Sequence, residues 1–264
     1  MAQADTNRLS LLNARREVSQ GLRASEDWQP SYKRNSETFK ALLAHEAQLE
    51  SDVAEYLFRL SRNAPNYVDW AQYAGSLKAA SNPLLNADDP VWAEEQLDLQ
   101  RAVIDAITLI VATGGQAGEL TYGIDLGISN LSKSVLEAAR TQVAGLVTGM
   151  TETSRDLIRE AIKQSIARGE SVDLARDRIS KVLNNPVRAE LVAHTESVNA
   201  YQTGLKNFAV ETGAKTKTWE SLARACPLCA PIDGETVRID KTFSNGKDRP
   251  SAHPRCRCGL IYNY

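Results

Sequence analysis

GAKTKTWESLARACPLCAPIDGETVRID, residues 213–240, is where the chain changes character. Upstream, apolar residues recur every three to four positions. Here KTKTWESL and ETVRID alternate polar with β-branched or aromatic side chains, and Asp233-Gly234 supplies a tight turn. Gly213 is a C-cap candidate for the helix that precedes. The last fifty or so residues carry little apolar content, and a piece of roughly that size needs a staple or a neighbouring surface to keep its shape. Cys226 and Cys229, separated by Pro-Leu, offer the usual chelating hook for a tetrahedral ion.

The other half of such a site lies in SAHPRCRCGLIYNY, residues 251–264, which brings His253, Cys256 and Cys258. All four cysteines of the chain and one of its three histidines therefore fall between positions 226 and 258. Five candidates compete for four places on a structural zinc. One set is the four cysteines with His253 beside them; His253 in place of one cysteine fits as well. Four protein ligands would leave no position for a catalytic water. Disulfide pairing and unligated buried thiols are the alternatives. The N-terminus MAQADTNRLSLLNARREV is polar and lacks a signal-peptide core, so a reducing cytoplasm is expected, where paired cysteines more often hold metal.

Working back from residue 213, the pattern is helical. NPVRAELVAHTESVNAYQTGLKNFAVETG opens on a cap and first-turn pair, Asn185-Pro186. Before it, ISNLSKSVLEAARTQVAGLVTGM, SRDLIREAIKQSIARG and SVDLARDRISKVL read as successive short helices joined by tight turns. A helix capped by Asp89, with Pro90 first, is expected to run to about Thr113 and stop at Gly114-Gly115. SNPLLNADDPVW, at 81–92, reads as a linker. Phe39, Leu42, Leu43, Leu49, Val53, Tyr56, Leu57 and Leu60 form the stripe of an amphipathic helix that Pro65 ends, with a further segment at 68–77. Leu11, Val18 and Leu22 mark a first short one. The fold class expected is α+β, mostly α. An elongated helical region precedes a small mixed module stapled by the Cys/His site, with divisions at 1–85, 86–185 and 186–264.

Composition is that of a soluble globular protein, 42% hydrophobic and 24% charged with net charge −2. Residues 221–264 hold seven Lys/Arg against four Asp/Glu, a local excess that permits contact with phosphate without requiring it. AVIDAITLIVAT, 102–113, is too short to span a bilayer and reads as a buried helix. HEAQL at 45–49 lacks the second His of a metalloprotease helix, so His45 reads as a solvated or half-buried helix residue. NGKD at 245–248 is no phosphate loop, and there is no G-x-S-x-G elbow. In RAELVAHTES, Glu190 and Glu196 do not share a helix face, and Glu190 and His194 at i and i+4 make a surface pair.

The succession RAELVAHTESVNAYQTG, GAKTKTWES, CPLCAPIDGETV and HPRCRC resembles the head-morphogenesis (minor head) proteins of tailed phages typified by protein F of phage Mu. The resemblance covers roughly residues 150–262. It points to Thr195, Glu196, Asn199, Trp219, Cys226, Cys229, Asp233, Gly234, His253, Cys256, Arg257 and Cys258. Two positions depart from it: His194 stands where Arg is more usual, and Arg255 where Asn is commoner. The resemblance implies a non-enzymatic virion protein, in few copies, at the portal vertex or head interior. Its implied partners are the portal and the capsid or scaffold proteins, with contact to the packaged DNA also allowed and with no membrane and no small-molecule substrate. Ejection with the genome is part of the same expectation. Two other readings stand beside it. A zinc-module nucleic-acid binder is suggested by Arg249, Arg255 and Arg257. A metal-dependent nuclease is disfavoured, because only His253 lies between the hook and the last cysteines.

Overall fold

The structure is a computed structural model that describes residues 30–76, 85–86, 89–221 and 227–264. The helix expected near residues 11–22, much of the linker and Cys226 lie outside them. Among the described residues seven α-helices come first: α1 (Pro30–Lys33), α2 (Ser36–Asn63), α3 (Trp70–Ser76), α4 (Val91–Tyr122), α5 (Lys133–Ala167), α6 (Val172–Leu183) and α7 (Pro186–Glu211). Three strands follow, β1 (Thr216–Glu220), β2 (Thr236–Arg238) and β3 (Gly259–Asn263). The described chain is thus mostly α with a small antiparallel sheet at its end.

Helix α2 forms on the stripe expected of it. Leu42, Leu49, Val53, Tyr56, Leu57 and Leu60 are all buried, and the helix gives way at Asn63 to a 3-10 turn that contains Pro65. At α4 the Asp89 carboxylate accepts from the Val91 amide at 3.1 Å, and Val103, Ala106, Ile107, Ile110, Val111 and Ala112 of the apolar run at 102–113 are buried while Asp105 is exposed. Asn185 caps α7 by accepting from the amides of Val187 and Arg188.

Two expectations fail, for one physical reason each. Helix α4 does not stop at Gly114-Gly115 but runs on to Tyr122, and Gly123, at φ 68°, ends it. The glycines are there because α7 crosses at backbone distance. A Cβ on Gly114 would lie 2.0 Å from the Tyr201 carbonyl oxygen, and one on Gly204 1.9 Å from that of Val111. Likewise α5 is one helix of 35 residues where two were expected. Its apparent break holds Thr151 and Ser154, whose hydroxyls donate to the carbonyls of Val147 and Met150 four residues back. Polar side chains bonded in this way fit inside a helix.

In the sheet, the order is β2-β1-β3 and both pairings are antiparallel; Thr218 faces Thr236 on one side and Ile261 on the other. Strand β3 had no hairpin signal because its partner lies some forty residues earlier in the chain. One sheet face buries Lys217, Trp219, Leu260 and Tyr262. Its apolar members belong to the same contiguous core as the helices, a core that runs from Tyr32 to Tyr262. The C-terminal piece therefore has a neighbouring apolar surface to hold it.

Candidate metal centre

Cys229 sits in the loop between β1 and β2, where the Ser221 hydroxyl donates to its carbonyl at 2.8 Å and fixes its backbone. His253 and Cys256 come from the segment that leads to β3. There the Cys256 amide donates to the His253 carbonyl at 3.1 Å and closes a turn. Arg255 takes a left-handed conformation inside that turn, φ 62°. Asn tolerates this region better than other non-glycine residues, which accounts physically for Asn being commoner there.

The ligand atoms of Cys229, His253 and Cys256 lie within 4.8 Å of one another. Both thiols are buried and His253 is half-buried. The Cys229 and Cys256 sulfurs are 4.0 Å apart, well beyond the roughly 2.05 Å of a disulfide. Two thiolates on a tetrahedral ion with Zn–S of about 2.3 Å would stand about 3.8 Å apart, so the spacing suits a shared ion. Sulfur and imidazole donors are the set that zinc and similar soft-to-borderline ions take. A hydrogen bond from the Cys258 thiol, helped by backbone donors and His253 and opposed by burial, lowers the Cys256 thiol to about 5. Cys258 stands beside the trio, with its carbonyl accepting from the Tyr32 hydroxyl at 2.8 Å. Cys226 lies outside the described residues.

The segment from Asp248 to Arg255 lies along α7 as a strap, and the motif residues of α7 grip it. Lys206 donates to Asp248 at 2.6 Å. The Asn199 side-chain oxygen accepts from the Ser251 amide and hydroxyl at 3.0 and 2.9 Å. Thr195 accepts from the Arg255 amide at 3.4 Å, and Glu190 pairs with the Arg255 guanidinium at 3.2 Å. Glu196 lies beneath, accepting from Gln142 and Asn199. Burial raises its carboxyl above the ordinary range, against those two hydrogen bonds. Trp219 meets Phe243 edge-on at 5.1 Å in the core of the module. Asp233 accepts from the Ser221 amide at 2.7 Å, and the Gly234 amide, at φ 75°, donates to the Trp219 carbonyl. These two positions set the turn that presents Cys229.

Two ion pairs escaped sequence reasoning. Arg257 makes a two-pronged pair with Glu46 of α2, at 2.8 and 3.0 Å, with side chains 4% and 0% exposed. The signal was present: Glu46 falls on the stripe of Leu42, Leu49 and Val53, and a carboxylate on a buried stripe requires a partner. Lys217, fully buried on the face it shares with Trp219, pairs with Asp248 and lies over the Phe243 ring. Burial lowers the Lys217 ammonium, with Asp248 pulling the other way. Strict alternation in KTKTWE places this lysine on the buried face. His45 is half-buried, and burial lowers its pKa.

No curated protein and no solved structure matches the chain. The family model described as "Phage Mu protein F like protein" does match, over residues 156–261. That span includes the end of α5, all of α7, the sheet module and the Cys/His cluster. From residue 156 to residue 261, then, this chain is similar to the Phage Mu protein F like family.

Proposed function

We propose that the protein is a structural component of a tailed-phage head, a minor head protein that acts in procapsid assembly and resides in the virion. The observation that carries this reading is the family match over the strap, the sheet and the Cys/His cluster. Its partners would be the portal and the capsid or scaffold proteins, with the packaged DNA nearby and ejection with the genome as a later step. No enzymatic role is invoked. Cys229, His253 and Cys256 would hold a structural zinc, with Cys226 or Cys258 as the fourth ligand. Among the described residues no helix is long and apolar enough to cross a membrane.

A free-standing nucleic-acid binder fits less well. Arg257 is spent on Glu46, Arg255 pairs with Glu190 and Arg249 with Asp248, so the three arginines that suggested phosphate contact already have carboxylate partners. Two measurements test the head assignment. The protein should copurify with procapsids and with mature particles, and loss of its gene should stall head assembly. Its absence from both particle types would overturn the reading. Metal analysis tests the zinc: about one equivalent is expected per chain, lost in Cys229→Ser, and a folded, metal-free wild type would refute it.

A further inference from the structure

We propose that residues 249–256 form a metal-latched strap: the ion holds this segment down on α7, and its release frees the strap without unfolding the helical body. The inference rests on the reading that Cys229, His253 and Cys256 bind a metal ion.

Anchors that need no ion lie at both ends of the strap. Before it, Asp248 is held by Lys206 and by the buried Lys217. Behind it, Arg257 is locked to Glu46, the Cys258 carbonyl accepts from Tyr32, and β3 pairs with β1 over five residues. Between these anchors Pro250 and Cys256 are buried and Ala252 packs against the core, but the polar grips are few. Ser251 has Asn199, while Arg255 has a long hydrogen bond to Thr195 and a pair with Glu190 in which its own side chain is 48% exposed. Exposed ion pairs of this kind exchange readily with water and hold little. Arg255 also takes a backbone conformation that opposes closure, since φ 62° is disfavoured for a residue with a Cβ. Pro254 and Arg255 are exposed and add no burial to hold the turn.

An ion changes that balance at one point. It would tie His253 and Cys256, both in the strap, to Cys229 in the loop between β1 and β2. The closed strap covers the face of α7 that carries Thr195 and Asn199, two side chains that bind backbone and hydroxyl groups of an extended segment. Release would uncover that face. The helices are held to one another by apolar contacts that do not include His253 or the strap's polar grips, so they stay folded when the ion leaves.

Hydrogen exchange on the full-length, zinc-loaded protein, with and without excess EDTA under reducing conditions, tests the latch, with metal content measured in parallel. Chelation should speed exchange at Ser251, Arg255 and Cys256 by on the order of tenfold, while amides within α2, α4 and α7 change less than about twofold. If zinc is bound and its removal leaves the strap amides unchanged, or exposes the helices equally, the latch is wrong and the metal reading stands. If the folded protein carries no metal, the metal reading fails and takes the latch with it.

Discussion

Gly204 in α7 and Gly149 in α5 are both mid-helix glycines, and the same substitution to alanine should move stability in opposite directions. At Gly149 a new Cβ meets nothing within 4 Å. Gly149→Ala therefore gains helix propensity and loses nothing, a stabilisation of up to about 1 kcal/mol. At Gly204 the Cβ would lie 1.9 Å from the Val111 carbonyl oxygen, 2.9 Å from its carbon and 3.0 Å from the Gly115 amide nitrogen. Ordinary contact needs roughly 3.5 Å, so the crossing must open by about 1.5 Å. The obstacle is backbone, so no rotamer change relieves it. Overpacking costs typically 1–3 kcal/mol, and a backbone collision belongs at or above the upper end. Setting about 1 kcal/mol of helix propensity against that leaves a net loss of roughly 2 kcal/mol or more for Gly204→Ala. Urea denaturation followed by circular dichroism reads both variants as shifts in midpoint at constant slope. Equal stabilities for Gly204→Ala and Gly149→Ala would refute the close crossing, and with it the account of why α4 passes through Gly114-Gly115.

Removing one partner of the buried pair, as in Glu46→Ala or Arg257→Ala, should cost about 3–5 kcal/mol, whereas Glu46→Leu with Arg257→Met should cost less than either single change. Denaturation midpoints decide it, and single variants of wild-type stability would show that the pair is not desolvated. The raised carboxyl of Glu196 means that the fold favours its protonated form. Its contribution is fully present below the unfolded value near 4.3 and is lost as pH rises through the higher folded value. Glu196→Gln should therefore stabilise the protein at pH 8 more than at pH 4, and a pH-independent difference would overturn the burial argument. Asp248 runs the other way. Burial raises it, but Lys206 and Lys217 together outweigh burial and lower it, so its contribution holds above about 3.9 and fades as pH falls.

What the sequence disclosed depended on how far apart the interacting residues stand. The stripe of α2 and the cap Asn185 are settled within one or two turns and the structure bears them out, while α4 starts one residue later than expected, at Val91, whose amide still donates to Asp89. Gly114-Gly115 is locally ambiguous, since glycine serves a helix end and a close crossing alike. Only Tyr201 and Gly204, about ninety residues on, decide which. The same distance problem hid β3, whose register is set by a strand some forty residues away. Thr195, Glu196 and Asn199 were marked by resemblance alone, because their work is to hold a strap that begins some fifty residues later.

The cysteine cluster was legible because chelation is a short-range matter of spacing, and the tripeptide Cys256-Arg257-Cys258 shows where that legibility ends. The Cys256 and Cys258 sulfurs share a hydrogen bond and so face one side, while Arg257 between them reaches Glu46 in the buried interior. Alternation along a short extended run produces this split. One residue points to the metal site and the next is fastened to α2, so adjacent positions tie the candidate metal centre to the helical body. Spacing announces the cysteines, but only the carboxylate on the α2 stripe explains the arginine between them. Arg257→Lys keeps the charge and loses the two-pronged geometry, so a lowered denaturation midpoint in that variant would show that the fork, and not the charge alone, contributes to joining the two parts.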